Sequence, residues 1–260
     1  MNLAMKLLTI LAPSSAPAVP NYAPPVTANL TLDFDSRIGL FTTSLGTTPV
    51  SADGDPVGLW NDQSGAGRNI SQATAGARAT YKLNQVNSLP AVLFDGTDDR
   101  LVSVAKLSTI ITNTAYSLYV VFNANAINTN AANTYDNDAV IADQAGGFWG
   151  LHLKSAPTAH AYNYDGTDDN AAKAIATGTW LQTHQRHDAG NMVISRDGGS
   201  ETSTASGNTQ TISNVFGVGR NSNTAFFDGM VARILCYNVA HNATDKNAII
   251  AYLKSTYGLP

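Results

Sequence analysis

Leu30-Thr31-Leu32-Asp33-Phe34-Asp35 alternates apolar and polar side chains one for one, the period of a strand with one face on a core. Thr158 to Tyr164 keeps the same beat, and Pro90 to Val104 reads as strand, acidic glycine turn, strand around Phe94-Asp95-Gly96. Ser117-Leu118-Tyr119-Val120-Val121-Phe122 is almost continuously apolar, which predicts a central strand covered on both faces. Phe226 to Asn238 is apolar on both parities apart from Arg233. That strand also belongs mid-sheet, and Arg233 needs an acidic or carbonyl partner because a buried unpaired guanidinium is costly. Asn123 to Asn137, rich in Asn, Ala and Thr, reads as an exposed loop before a strand at Ala139 to Ala142.

One segment changes period. Ile249, Ile250, Leu253 and Tyr257 fall on one helical face, Asn242 can cap its start, Asp245 suits the positive end of the dipole, and Gly258 stops it. Asp-Gly turns punctuate the strands, and Asp165 to Asp169 repeats Asp95 to Asp99 letter for letter. The flanks of these two pentapeptides differ, so the repeat reads as shared turn chemistry rather than duplication.

Upstream of these strands, Trp60-Asn61-Asp62-Gln63-Ser64-Gly65 precedes Tyr81, Leu89-Pro90 and Phe94-Asp95-Gly96, while Tyr237-Asn238 and Tyr257-Gly258-Leu259 close the chain. This set resembles the concanavalin A-like lectin/glucanase superfamily, in the laminin G-like branch found in bacterial surface proteins and phage structural proteins. The resemblance covers residues 29–260. It implies an all-β, two-sheet antiparallel jelly-roll sandwich with one C-terminal helix, preceded by an extended proline-rich arm over residues 1–28. Trp60, inside the signature, is expected to pack, and Asp62 to hydrogen-bond the backbone of its own loop.

Composition narrows the function. A net charge of -4, with 15 Lys+Arg spread thinly, leaves no basic stripe for a phosphate backbone, so nucleic acid is not an expected partner. No apolar run is long enough to span a bilayer as a helix, and Leu7 to Ala12, short and interrupted by Thr9, does not read as a secretory signal. Cys236, the lone cysteine, cannot form a disulfide within the chain and reads as a small buried hydrophobe. Of 19 acidic residues only Glu201 is a glutamate. The superfamily's glycosidases resemble one another in a closely spaced glutamate pair, and glycoside cleavage needs two carboxylates. With that pair missing, and no nucleophile elbow, phosphate loop or dinucleotide fingerprint, a non-enzymatic role is expected.

Pro13, Pro17, Pro20, Pro24 and Pro25 keep the arm extended. Its apolar residues Leu7, Leu8, Ile10 and Leu11 are candidate anchors on a neighbouring subunit, the alternative being that the arm folds back on its own domain. Asp95, Asp98 and Asp99, with Asp165, Asp168 and Asp169, offer hard oxygen ligands for calcium, against the simpler explanation of turn chemistry. Trp149, Tyr162, Asn163 and Tyr164 form the candidate glycan-binding set, Trp149 being expected near a surface cleft. His184 and His187 stand three apart on a strand and so point to opposite faces, unable to share an ion. The expected role is a virion surface protein of a tailed phage, a capsid decoration or tail appendage in a homo-oligomeric or capsid and tail assembly, with weak binding of cell-surface glycans. The alternative is a secreted or cell-surface carbohydrate-binding module.

Overall fold

The computed structural model describes residues 22–260 except 113, 128–137, 145–148, 155–156, 165–167, 189, 208–211 and 222–224. Among the described residues the strands form two antiparallel sheets, with one C-terminal helix. The first sheet runs, edge to edge, through Thr202–Ala205, Asn191–Arg196, Leu181–Asp188, Ala115–Ala126, Asp228–Tyr237, Leu89–Asp95, Ala79–Val86 and Pro56–Val57. Leu30–Asp35 joins it by pairing with the far half of Asp228–Tyr237, Phe34 opposite Ile234 and Asp35 opposite Arg233. The second sheet runs Asp168–Ala174, Thr158–Tyr164, Trp149–Lys154, Asp138–Asp143, Val215–Val218, Leu101–Lys106, Ile70–Ser71, Leu59–Trp60 and Leu40–Phe41.

The alternation at the start of the chain does what its period dictates. Leu32 and Phe34 enter the core between the sheets, while Asp33 and Asp35 take the outer face of the first. Phe34 packs against Trp60 and Phe216 at centroid separations of 5.6 and 6.3 Å, tilted contacts that aromatic quadrupoles favour. Trp60 is buried and donates its indole N–H to the Asp35 carbonyl at 3.1 Å. Asp62 ties its loop as expected, accepting from the Ser64 and Arg68 amides at 3.0 Å each and from the Asp33 amide at 2.9 Å.

A second apolar cluster covers the outer face of the first sheet, where Tyr119, Val121, Leu235 and Tyr237 lie under Ile249, Leu253 and Tyr257 of the Ala243–Tyr257 helix. The Asn242 side chain caps that helix by accepting from the Asp245 amide at 3.0 Å, and Gly258 ends it at φ 63°. Asn242→Ala should therefore cost about 1 kcal/mol, read as a lower urea midpoint at unchanged slope. Cys236 is buried, and Ala115–Ala126 and Asp228–Tyr237 lie side by side mid-sheet.

Two expectations need correction. Asn123 to Ala126 is strand rather than loop, because Asn123 and Ala124 continue the pairing against Met230 and Gly229. The rest of that predicted loop, 128–137, lies outside the described residues. Asp168 and Asp169 open a strand paired to Tyr164 and Asn163 instead of closing a turn.

Candidate functional site

Of the four residues expected to bind glycans, the three with described side chains, Trp149, Tyr162 and Asn163, are buried and form no platform. Trp149 is 1% exposed, inside the core on the same parity as Leu151 and Leu153, edge-on to Tyr116 at 5.7 Å. Its glycine neighbour serves strand packing: a Cβ on Gly150 would lie 2.1 Å from the Ile141 carbonyl oxygen. Tyr162 is 1% exposed against the His152 ring, and Asn163 is enclosed with its amide donating to Ser206 Oγ at 3.2 Å. Tyr164 lies on the same strand, its side chain outside the described residues.

The first aspartate cluster does assemble. Asp95, Asp98 and Asp99 bring carboxylate oxygens within 4.8 Å of one another. Asp99 Oδ2 accepts from the Asp95 amide at 3.1 Å and Asp95 Oδ1 from the Thr97 amide at 2.8 Å, so turn chemistry accounts for these bonds. Burial, then the Asp95 charge, pushes the Asp99 carboxyl up to about 7, a site that holds a proton readily. With one converging oxygen from each, the three carboxylates supply three of the six to eight ligands calcium takes. In the second cluster Asp165 lies outside the described residues, as does the Asp168 side chain, while Asp169 accepts from the Gly207 amide at 3.1 Å.

His184 and His187 point to opposite faces. His184 stacks on Tyr119 under the helix, and His187 faces Tyr116 between the sheets.

The polar centre that does form was half visible in the sequence, in Arg233 and its need of a partner. Arg233 is 1% exposed on the outer face of the first sheet. Its Nη1 donates to Asp35 Oδ2, and its Nη2 donates to Asp33 Oδ2 and to the Tyr22 carbonyl, both at 2.9 Å. Asp35 is also gripped by Arg37, whose Nη2 donates to Oδ2 at 2.6 Å. Among the described residues Asp33 Oδ1 has only its ion-pair contact with Nη2 at 2.8 Å, and Arg233 Nε donates no hydrogen bond. Burial outweighs the Arg233 charge at Asp33 and, with Asp35 adding to it, pushes that carboxyl up to about 7.

Residues 22–28 of the predicted arm form the lid of this centre, folded back on their own domain. The Tyr22 carbonyl also accepts from the Tyr252 hydroxyl at 3.1 Å, and the Val26 carbonyl from the Tyr237 hydroxyl at 2.9 Å. The Tyr22 ring lies 4.7 Å from the Arg37 guanidinium carbon. Leu7, Leu8, Ile10 and Leu11 lie outside the described residues. Between strap and sheet a cavity of about 250 Å³ remains, lined by Tyr22, Pro24, Asp33, Gln63, Ser64 and Arg233 among others. A shallower hollow of about 240 Å³ lies between Lys173, Arg196 and Ser200.

No family model and no curated protein matches this sequence. Solved structures do share its architecture. An arabinofuranosidase complexed with arabinofuranosyl-alpha-1,2-xylobiose aligns at TM-score 0.58 and 15% identity, over 78% of this chain and 51% of that one. Domain 4 of AbnA, an extracellular arabinanase from Geobacillus stearothermophilus, in complex with arabinotriose, aligns at TM-score 0.53 and 12% identity, over 85% of this chain and 98% of that one. A Trypanosoma rangeli sialidase aligns at TM-score 0.55 and 14% identity, over 92% of this chain and 35% of that one. This chain thus spans about half the arabinofuranosidase and about a third of the sialidase. It is a two-sheet β-sandwich of the kind carried by these carbohydrate-active proteins, and at such identities the likeness is one of fold.

Proposed function

We propose that this chain is a non-catalytic carbohydrate-binding sandwich, concanavalin A-like and laminin G-like in kind, presented on an extracellular or particle surface. The observation that carries the reading is the likeness to domain 4 of the arabinanase, a structure in complex with arabinotriose and matched over 98% of its length. The cavity beside Asp33 and Arg233 supports it, because acceptors and donors in one hollow are what sugar hydroxyls require.

The state of Glu201 and of Asp35 supports a non-catalytic reading. Glu201 is bonded to Lys246 at 2.8 Å and Arg186 at 3.1 Å. Burial works to raise its pKa, but these two cations outweigh it and hold the group below the usual range. A general acid needs the opposite shift. Asp33 and Asp35 are a carboxylate pair on one strand, yet Asp35 is enclosed and held by both Arg37 and Arg233, which leaves it unable to attack a sugar. A virion role gains nothing from the likenesses, and the arm residues offered for it are outside the described region.

Affinity electrophoresis through gels holding arabinan, arabinoxylan, galactan or β-glucan tests the reading, with a reducing-sugar assay alongside. Retardation by at least one polysaccharide without sugar release is expected. Equal mobility in every gel, or release of sugar, overturns it.

A further inference from the structure

The cavity under the strap combines features that a structural ion cluster does not require. Among the described residues Arg233 Nε is buried with no hydrogen-bond partner, Asp33 Oδ1 has only the ion-pair contact with Arg233 Nη2 at 2.8 Å, and both residues line the cavity. Leaving the buried Nε donor unpaired is costly, and a guest hydroxyl that pairs it recovers part of that cost. Arg233 is more than nine-tenths buried, so its orientation is set before any guest arrives. Gln63 and Ser64 add polar groups from the Trp60 loop, while Tyr22, Ala23 and Pro24 line the strap side.

Charge and size select among guests. Asp33 and Asp35 pair with Arg37 and Arg233, so the ion cluster is balanced in charge, and the Arg233 guanidinium is already committed to carboxylates. An anionic guest would compete with Asp33 and Asp35 for the same N–H groups, whereas hydroxyls can donate to Asp33 Oδ1 and accept from Arg233 Nε. At about 250 Å³ the hollow falls below the roughly 300–1,000 Å³ of drug-sized ligand sites. It accommodates one sugar ring, not a run of them.

Resting on the carbohydrate-binding reading above, we propose that this cavity binds a single neutral sugar unit, a chain end or side branch with adjacent hydroxyls, between Asp33 and Arg233 on one side and Tyr22 on the other. The strap then acts as a wall of the site, and the sugar is recognised on the outer face of the first sheet. A single ring with few pairing groups should bind weakly, in the millimolar range.

The test is nitrogen-15 NMR of the full chain titrated with L-arabinose, D-xylose and D-galactose, with D-galacturonate as the charged counterpart. The side-chain N–H of Arg233 is a reporter in the cavity wall. Saturable shifts of that signal and of the Gln63 and Ser64 amides are expected with at least one neutral sugar, with galacturonate at least tenfold weaker. Tyr22→Ala, which keeps the backbone carbonyl bonded by Arg233 and Tyr252 but removes the ring and its contact with Arg37, should weaken binding at least fivefold. Asp33→Asn, checked for folding by circular dichroism, should do the same. Shifts confined to residues elsewhere, such as the Lys173 and Arg196 hollow, overturn this site but leave polysaccharide binding standing. Equal or stronger binding of galacturonate overturns the neutral class, and no shift with any sugar overturns the site. Loss of the wider reading shows separately, as unretarded migration in every polysaccharide gel.

Discussion

Arg233→Met is expected to lower the unfolding free energy by about 3–5 kcal/mol, measured as an earlier urea midpoint with an unchanged slope. The cause is the company Arg233 keeps rather than the intrinsic strength of its ion pairs. Asp33 and Asp35 are both buried on the outer face of the first sheet, and Arg233 pairs with each of them while also holding the Tyr22 carbonyl. Methionine fills the volume but leaves Asp35 to Arg37 alone and Asp33 with no cation among its hydrogen-bond partners, and an uncompensated buried charge is the expensive outcome. Asp33→Asn in the same chain should recover part of the loss, because the neutral amide has no charge to strand. The recovery should depend on pH. The folded-state pKa of Asp33 lies near 7, above its ordinary 3.8. Its contribution is therefore fully present below pH 3.8 and is lost as pH rises through about 7. Recovery by Asp33→Asn should then be larger at pH 8 than at pH 5. If Arg233→Met costs less than about 1 kcal/mol, the cluster is behaving as a solvated surface pair and the enclosed geometry is wrong.

How much of this was legible in the sequence can be followed residue by residue. Strict alternation from Leu30 to Asp35 put Asp33 and Asp35 on one face, and the one cation in an apolar strand announced that Arg233 needed a partner. Both signals come from strand period and the cost of burying charge, and both hold in the structure. What covers the cluster was not legible, because Tyr22 to Thr27 has no apolar period: it docks through its backbone carbonyls, which every sequence possesses. Trp149 was misplaced for a different reason. It was expected near a surface cleft, but Gly150 beside it is there because the neighbouring strand passes too close for a side chain. Counting parity with Leu151 and Leu153 would have turned the indole inward. Asn123 to Ala126 reads as loop by composition, yet strand pairing continues through it, since tertiary context overrides weak propensity.

His184 leads to the second large effect. Its ring is fully enclosed under the C-terminal helix, stacked 4.5 Å from the Tyr119 ring, and neither ring nitrogen has a hydrogen-bond partner among the described residues. Burial pushes its pKa down to about 3; Glu201 opposes that shift, while Lys246, Arg186 and His241 reinforce it. A base with a depressed folded-state pKa contributes stability above its ordinary 6.5, and that stability is lost as pH falls from 6.5 toward 3, because the unfolded chain takes up a proton the folded one refuses. At about 1.4 kcal/mol per pH unit, acidifying to about pH 4.5 should cost roughly 3 kcal/mol through this residue alone. His152, pushed down to about 3 by its own burial, adds a second loss of the same sign. Asp33 and Asp99 act the other way over this range, so the total pH profile of the wild type cannot isolate His184. A difference between variants can. His184→Phe keeps a flat ring against Tyr119 and removes both unpaired nitrogens, so at pH 7.5 it should be no less stable than wild type. Urea unfolding at pH 4.5 should then show the variant ahead by about 3 kcal/mol more than at pH 7.5. An acid loss identical in the two proteins would mean that the His184 imidazole reaches water or a carboxylate in the folded state, and that the helix does not seal the outer face of the sheet.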